Sequence, residues 1–147
     1  MPPKVLLLVE DNPHDEALTL RAFRMANLSN PVVVVRDGIE ALDWLWRQGA
    51  YADRDPQQRA AVILLDLKLP KIDGAEVLRR LRADERTRLI PVVILTTSTE
   101  DSDVVRSYAS GANSYLRKPV DFSQFMNTVA QLGVYWLAVN ELAPEQR

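Results

Sequence analysis

The sequence contains no cysteine, one histidine and no long apolar segment among its 147 residues. The absence of cysteine excludes disulfide bonds, thiolate zinc sites and thiol catalysis. A single histidine, His14, excludes a histidine-rich metal site. The first apolar run, residues 5–9, is too short for a signal peptide and far below the roughly 20 residues of a membrane span. We therefore expect a cytoplasmic protein with no membrane association.

Neither sign of charge is in excess, since 18 Lys and Arg stand against 20 Asp and Glu for a formal net charge of -2. A dedicated nucleic-acid binder usually carries a basic excess, so we expect no nucleic-acid partner. Hydrophobic residues make up 47% of the chain and charged residues 26%, which is typical of a globular domain. We predict one domain over residues 1–147, with a core at about 4–137 and no output domain.

Short apolar runs alternate with segments of helical periodicity. The runs are residues 5–9, 32–35, 62–65, 92–95 and, more weakly, 114–116. Continuous apolar runs are typical of strands covered on both faces. Helix-start signals lie between the runs, such as Asn12-Pro13, Asp37-Gly38, Asp73-Gly74 and Asp121 with Gln124. Five strand–helix units in a row predict an α/β fold with a five-stranded parallel sheet. Residues 49–60 are polar and are predicted to form a long surface loop.

The ends of four apolar runs carry the chemically informative residues. Glu10 and Asp11 follow the first run, Asp66 the third, Thr96 the fourth and Lys118 the fifth. Ligands of open parallel sheets bind beyond the carboxyl ends of the strands. We therefore expect these five side chains to line one crevice.

Three carboxylates with one cation beside them repel one another. Each like-charge pair at about 4 Å costs roughly 4 kcal/mol at an effective dielectric of about 20. Oxygen ligands suit Mg²⁺ or Mn²⁺ better than zinc, and Mg²⁺ held by few carboxylates completes its shell with water and phosphate. A lysine binds phosphate as a point charge. The pattern predicts a magnesium-dependent phosphoryl-transfer centre.

Four motifs resemble the receiver domain of two-component response regulators. They are Leu-Leu-Val-Glu-Asp-Asn at 7–12, the segment 64–74 around Asp66, Leu-Thr-Thr-Ser at 95–98 and Tyr-Leu-Arg-Lys-Pro at 115–119. They occur in the family's order and spacing over about residues 4–137. The resemblance implies a flavodoxin-like, doubly wound fold with strand order 2-1-3-4-5.

The resemblance also implies a role for the acidic residues. Asp66 would be the phosphoacceptor, taking its phosphoryl group from a phosphohistidine of a sensor histidine kinase. Glu10, Asp11, Asp66 and the backbone carbonyl of Lys68 would form the metal site for Mg²⁺, with Mn²⁺ as a substitute. The protein would then be a phosphoacceptor signalling protein and not an enzyme acting on a separate substrate.

Three further residues take roles from the same resemblance. Lys118 would pair with the phosphoryl oxygens, and its bond to Pro119 is cis in the family. Thr96 would hydrogen-bond the phosphoryl group, and Tyr115 would turn into the space that Thr96 leaves. Together Thr96 and Tyr115 would form a two-state switch that responds to phosphorylation.

The C-terminal segment is apolar on more than one face, and we expect its helix to extend to about residue 142. Its predicted core stripe is Phe122, Phe125, Met126, Val129, Leu132 and Trp136. The residues on its other faces are Val134, Tyr135, Leu137 and Leu142. These residues would be buried either against a partner protein or against the same domain, if the end of the helix folds back on it. We interpret the segment as part of a homodimer interface built on the last strand and helix.

The loop after the second helix, the Leu-Thr-Thr-Ser motif and this aromatic helix resemble the single-domain response regulators of bacterial phytochromes. That narrower resemblance implies a phytochrome as the partner kinase.

Three other functions fit the sequence less well than a receiver. A haloacid-dehalogenase-type phosphohydrolase needs a second Asp two positions after the nucleophile, where this chain has Lys68. A flavodoxin-like flavin or nucleotide binder needs a glycine- or hydroxyl-rich phosphate loop where Glu10 and Asp11 would repel phosphate. A pseudo-receiver that binds partners without phosphorylation is disfavoured by the complete residue set.

Overall fold

The computed structural model describes residues 4–119 and 121–144, in which five strands alternate with five α-helices. The elements are β1 (Lys4–Val9), α1 (Pro13–Met25), β2 (Val32–Val35), α2 (Gly38–Trp46), β3 (Arg59–Leu65), α3 (Gly74–Ala83), β4 (Val92–Thr96), α4 (Asp101–Ala109), β5 (Ser114–Arg117) and α5 (Phe122–Val134). All strand pairs are parallel, in the order β2-β1-β3-β4-β5. The predicted doubly wound, flavodoxin-like fold is confirmed.

Both faces of the sheet are covered because its central strands are apolar at nearly every position. Side chains alternate across a strand, so β1 contributes to two cores. Val5, Leu7 and Val9 pack on the side of α2 and α3, whereas Leu6 and Leu8 pack on the side of α1 and α5. All five strands run in the same direction, so their carboxyl ends meet at one edge of the sheet.

Side-chain caps begin four of the helices, as the sequence predicts. Asn12, Asp37, Asp73 and Asp121 each accept hydrogen bonds from backbone amides two or three residues later. These bonds satisfy amides that a helix leaves unpaired at its first turn. Each cap also fixes the residues between a strand end and the following helix, which is where the predicted site lies. None of the helices within 4–119 and 121–144 has the length and apolarity required to span a bilayer.

Residues 49–60 are more ordered than the predicted loop. Gly49–Tyr51 forms a 3-10 helix, anchored by a hydrogen bond of 2.9 Å from the Tyr51 hydroxyl to Glu40. β3 begins at Arg59 and not at residue 62, since Arg59 and Ala60 pair with the start of β1. Pairing with a neighbouring strand therefore extends β3 beyond its own apolar run.

The C-terminal helix ends earlier than the predicted residue 142. α5 passes into a π-helical turn at Tyr135–Val139, and Asn140 has an extended backbone. Leu137 is buried against the sheet, and Arg59 donates a hydrogen bond of 3.1 Å to the carbonyl of Ala143. These contacts return the chain toward the start of β3, so the prediction of a longer helix is wrong.

The predicted core stripe of α5 is correct at its centre and wrong at its first residue. Phe125, Met126 and Val129 are buried, but Phe122 is 48% exposed and contacts the guanidinium of Arg21. Phe122 is the first residue of the helix, where the chain has not yet reached the sheet. Its aromatic side chain therefore lies at the rim of the core.

Arg82 joins α3 to the loop that precedes β4 and to the loop that precedes β5. Its partly buried guanidinium donates to the carbonyls of Gly111, Arg88 and Ile90 and to the side chain of Asn113, at 2.7–3.1 Å. The three carbonyls would lose this donor if the guanidinium were removed, whereas the Asn113 oxygen would keep the Val92 amide at 2.8 Å. Hydrogen bonds that involve a charged group contribute about 1.5–3 kcal/mol each.

We expect Arg82→Met to lower the free energy of unfolding by about 2–4 kcal/mol, measured by chemical denaturation. Arg79→Met on the same helix is the matched control, because Arg79 is 63% exposed and pairs with Glu76 on the same helix. That control should leave the free energy of unfolding close to the wild-type value. Equal losses in the two variants would contradict a structural role for Arg82.

Candidate functional site

The carboxyl edge of the sheet holds a cluster of three carboxylates. Oxygens of Glu10, Asp11 and Asp66 lie within 4.8 Å of one another. The parallel pairing of Val9 with Leu65 explains this, because the next residues along β1 and β3 are then neighbours. Glu10 and Asp66 are buried, and Asp11 is exposed. The structure therefore brings together the three acidic residues that the sequence predicts.

Lys118 lies at the centre of the cluster. Its Nζ donates to Glu10 Oε1 at 2.6 Å, to Asp66 Oδ2 at 2.8 Å and to Asp15 Oδ2 at 2.8 Å. The side chain is 4% exposed, and the three bonds use all the donors of an ammonium. Burial acts to lower the pKa of Lys118, but its bonds to Asp15, Asp66 and Glu10 outweigh burial and raise the pKa. The lysine is therefore held charged.

The prediction of a cis bond between Lys118 and Pro119 is wrong, because residues 4–119 and 121–144 contain no cis peptide bond. The backbone amide of Lys118 donates to the carbonyl of Thr96 at 2.6 Å. This bond continues the pairing of β5 with β4 beyond Arg117. The end of β5 therefore places Lys118 next to the carboxylates, while the bond between Lys118 and Pro119 is trans.

Asp15 is the site residue that sequence reasoning missed. It lies in the first turn of α1, where the Asn12 side chain accepts a hydrogen bond from its amide. Its carboxylate is 19% exposed and contacts Lys118. Acidic residues are common in the first turn of a helix because of the helix dipole. The sequence signal for Asp15 was therefore present but did not distinguish it from an ordinary helix-start residue.

Glu10 is a buried carboxyl group whose surroundings disfavour its charged form. Burial raises its pKa to about 7, against the opposing effects of the hydrogen bond and charge of Lys118. The charge of Asp66 raises the pKa further, whereas the amide of Asn12 lowers it. A cation entering the cluster would favour the ionised form of Glu10. The donor set therefore fits a divalent cation with oxygen ligands.

The Asp66 carboxylate is held from two directions. The backbone amide of Lys68 donates to Oδ1 at 3.2 Å, and Lys118 donates to Oδ2. The chain returns to this point at Gly74, whose amide donates to the Leu67 carbonyl at 2.9 Å. A Cβ at position 74 would overlap the Asp66 carbonyl, so a glycine is required for this close approach. The metal role of the Lys68 carbonyl stays a prediction.

Thr96 and Tyr115 lie beside the loop that follows β4. Thr96 is fully buried, and its hydroxyl accepts a hydrogen bond of 3.4 Å from the Ser98 amide. Tyr115 is partly buried, and its hydroxyl donates to the Ser98 carbonyl at 3.4 Å. Both residues therefore contact Ser98, which itself donates to Asp103 of α4 at 2.6 Å. Their roles as a switch stay a prediction.

Comparison with known proteins assigns the family. Residues 6–130 match the family model of the response regulator receiver domain, and the chain belongs to this family. It is 44% identical to the probable methanogenesis regulatory protein FilR2 of Methanothrix harundinacea, over 94% of this chain and 86% of the relative. It is 38% identical to the response regulator Rcp1 of Synechocystis, over 92% of this chain and 90% of the relative.

Solved structures give the same assignment. The phosphorylated cyanobacterial phytochrome response regulator RcpA has a TM-score of 0.89 at 39% identity, over 97% of this chain and 99% of that one. The Mn²⁺-bound form of Rcp1 also has a TM-score of 0.89, at 37% identity over 97% and 100%. The bacteriophytochrome response regulator RtBRR has a TM-score of 0.76 at 52% identity, over 98% and 86%. The chain is therefore a receiver domain of the two-component type, similar to phytochrome response regulators.

Removing the ammonium at the centre of the cluster should destabilise the fold. We expect Lys118→Met to lower the free energy of unfolding by roughly 3 kcal/mol in metal-free buffer, because Glu10 and Asp66 would stay buried without their cation. Lys71→Met is the control, since Lys71 is 63% exposed and pairs with Asp37 at 3.3 Å. The control should change the unfolding free energy by less than about 1 kcal/mol. If Lys118→Met lost no more unfolding free energy than Lys71→Met, the central role of Lys118 would be contradicted.

Proposed function

We propose that this chain is a response regulator that accepts a phosphoryl group on Asp66 from the phosphohistidine of a sensor histidine kinase. One observation carries the proposal: a carboxylate 2.8 Å from a buried ammonium lies within a cluster whose oxygens suit a divalent cation. The similarity to regulators named for phytochromes supports a kinase of the phytochrome type. The signal would leave through protein–protein contacts.

The proposed cofactor is Mg²⁺, with Mn²⁺ as a substitute. Asp11, Asp66 and the carbonyl of Lys68 would hold it, and Glu10 would act through water. When bound, the ion would supply positive charge that stabilises the oxygens of the transferring phosphoryl group. The Mn²⁺-bound form of the similar protein Rcp1 supports this choice.

In the proposed transfer, a carboxylate oxygen of Asp66 forms a bond to phosphorus while the phosphorus–nitrogen bond of the phosphohistidine breaks. The electron pair stays on the imidazole nitrogen, which takes up a proton. Lys118 positions the Asp66 carboxylate beforehand and then offers its charge to the phosphoryl oxygens. The phosphoryl group on Asp66 would then replace some of the hydrogen bonds that Lys118 makes to carboxylates.

The proposed response to phosphorylation begins at Thr96. Its hydroxyl would leave the Ser98 amide and donate to the new phosphoryl group, and Tyr115 would turn into the vacated space. Both residues contact Ser98, which connects them to Asp103 of α4. A change at the phosphoryl group can therefore reach α4 through one loop. The product stays attached to the chain, as expected of a signalling protein and not of an enzyme with a released product.

We expect acetyl phosphate with Mg²⁺ to add one phosphoryl group to the wild-type chain and none to Asp66→Asn, measured by intact mass. Asp53→Asn is the matched control, because it removes an exposed carboxylate outside the cluster, and it should be labelled like the wild type. Equal labelling of wild type and Asp66→Asn would reject Asp66 as the acceptor. An unlabelled wild type would favour the pseudo-receiver instead.

We also propose a homodimer built on β5 and α5. The support is an apolar face at the end of α5 on which Val134, Tyr135 and Val139 are 41%, 49% and 65% exposed. Contiguous apolar surface of this kind is typical of a protein–protein contact, and a two-fold axis would let it pair with itself. Trp136 packs against the core and is therefore not part of this face.

Charge placed on the apolar face should dissociate the dimer. We expect Tyr135→Asp and Val139→Asp to sediment as monomers at concentrations where the wild type is dimeric. Leu89→Asp is the control, because Leu89 is 43% exposed but lies between α3 and β4. An unchanged dimer fraction in Tyr135→Asp and Val139→Asp would refute this interface.

A further inference from the structure

A cavity of about 440 Å³ lies at the end of the sheet opposite the carboxylate cluster. It is enclosed by the end of α2, the segment before β3, the loop between α3 and β4, and residues 142–144. Ala60 of β3 lines it, and Asp66 follows the other end of that strand, roughly 20 Å away at 3.3 Å per residue. Its volume falls within the range of small-molecule pockets. It is therefore separate from the proposed phosphoryl site.

Positive charge is in excess around this cavity. Its lining contains Arg47, Arg54, Arg59 and Arg86 but only one acidic residue, Glu85. Arg86 pairs with Asp84 at 2.7 Å, outside the lining. Within residues 4–119 and 121–144, no carboxylate forms an ion pair with any of the other three arginines. In the described part of the chain, three guanidinium charges therefore surround one cavity without a carboxylate in ion-pair contact.

The contacts of these arginines leave charge available to a ligand. Arg54 donates through Nε and Nη1 to the carbonyls of Trp44, Asp55 and Gln58, which leaves Nη2 for a ligand. Arg59 donates to the carbonyl of Ala143. Burial and the nearby charge of Arg47 lower the pKa of Arg54, while Asp55 acts in the opposite direction. Like charges held close together in this way favour an anion between them.

Two indole rings give the cavity an aromatic wall. The guanidinium of Arg54 lies 3.8 Å from the ring centre of Trp44, and that of Arg86 lies 5.2 Å from the ring centre of Trp46. A guanidinium stacked on a ring is pre-oriented to bind a phosphate through its N–H groups. Trp46 is only partly buried and can contact a planar ligand.

We propose that this cavity binds a phosphate-bearing aromatic metabolite of the size of a nucleoside monophosphate. The phosphate would contact Arg47 and Arg54, and the ring would pack on the indole of Trp46. Inorganic phosphate would leave most of the cavity unfilled and the indole without contact. The cavity is distinct from the crevice after β1, where the sequence disfavours a nucleotide.

The test is isothermal titration of the wild-type chain with AMP, adenosine and inorganic phosphate in Mg²⁺-free buffer. We expect saturable binding of AMP and much weaker binding of the other two. Arg47→Glu should weaken AMP binding about tenfold or more, because it replaces a cation of the lining with an anion. Arg24→Glu is the matched control, since Arg24 is exposed on α1, and it should bind AMP like the wild type.

A second variant guards against misfolding. Arg54→Lys keeps the charge but loses the stacked planar group, so it should also weaken AMP binding, with the melting temperature reported for each variant. Absence of saturable AMP binding would overturn the proposal, as would phosphate binding as tightly as AMP. Wild-type affinity in both Arg47→Glu and Arg54→Lys would place the nucleotide elsewhere and equally overturn it.

Discussion

The contact of one buried ammonium with three carboxylates is the interaction on which the site depends. Lys118 comes from the segment after β5, and its partners Glu10, Asp15 and Asp66 come from three other places along the chain. Buried charges are tolerated only when they are paired and hydrogen-bonded. The lysine therefore offsets part of the repulsion in the cluster and also fixes the geometry of the residue that we propose as phosphoacceptor. The carboxyl groups of Glu10, Asp11, Asp15 and Asp66 outnumber the ammonium of Lys118, and this excess of acidic groups suits the site to a metal ion.

The fold provides this arrangement through strand register and close backbone approach. Parallel pairing of β1 with β3 places Glu10 next to Asp66, and pairing of β4 with β5 carries Lys118 to the same edge. Gly74 lets α3 begin against the backbone of Asp66 and Leu67, where any side chain would collide. Strand pairing therefore determines where the charged residues at this end of the sheet lie.

Much of this could be predicted from the sequence, because the relevant signals are local. Apolar runs identify the strands, and the polar residues that end them identify the crevice. Asp15 escaped prediction because its contact with Lys118 depends on how α1 crosses the sheet edge. The early start of β3 at Arg59 and the return of the chain after α5 depend on pairing and packing between distant segments. The trans bond before Pro119 likewise departs from what the family resemblance implies.

The effect of Mg²⁺ on thermal stability is the most direct test of cation binding by the carboxylate cluster. Metal binding to the folded state should raise the melting temperature of the wild-type chain at millimolar Mg²⁺. Asp11→Asn should lose this increase, because it removes an exposed carboxylate of the cluster while leaving the partners of Lys118 in place. No increase in the wild type, or the same increase in Asp11→Asn, would contradict the claim that these carboxylates converge on a shared cation.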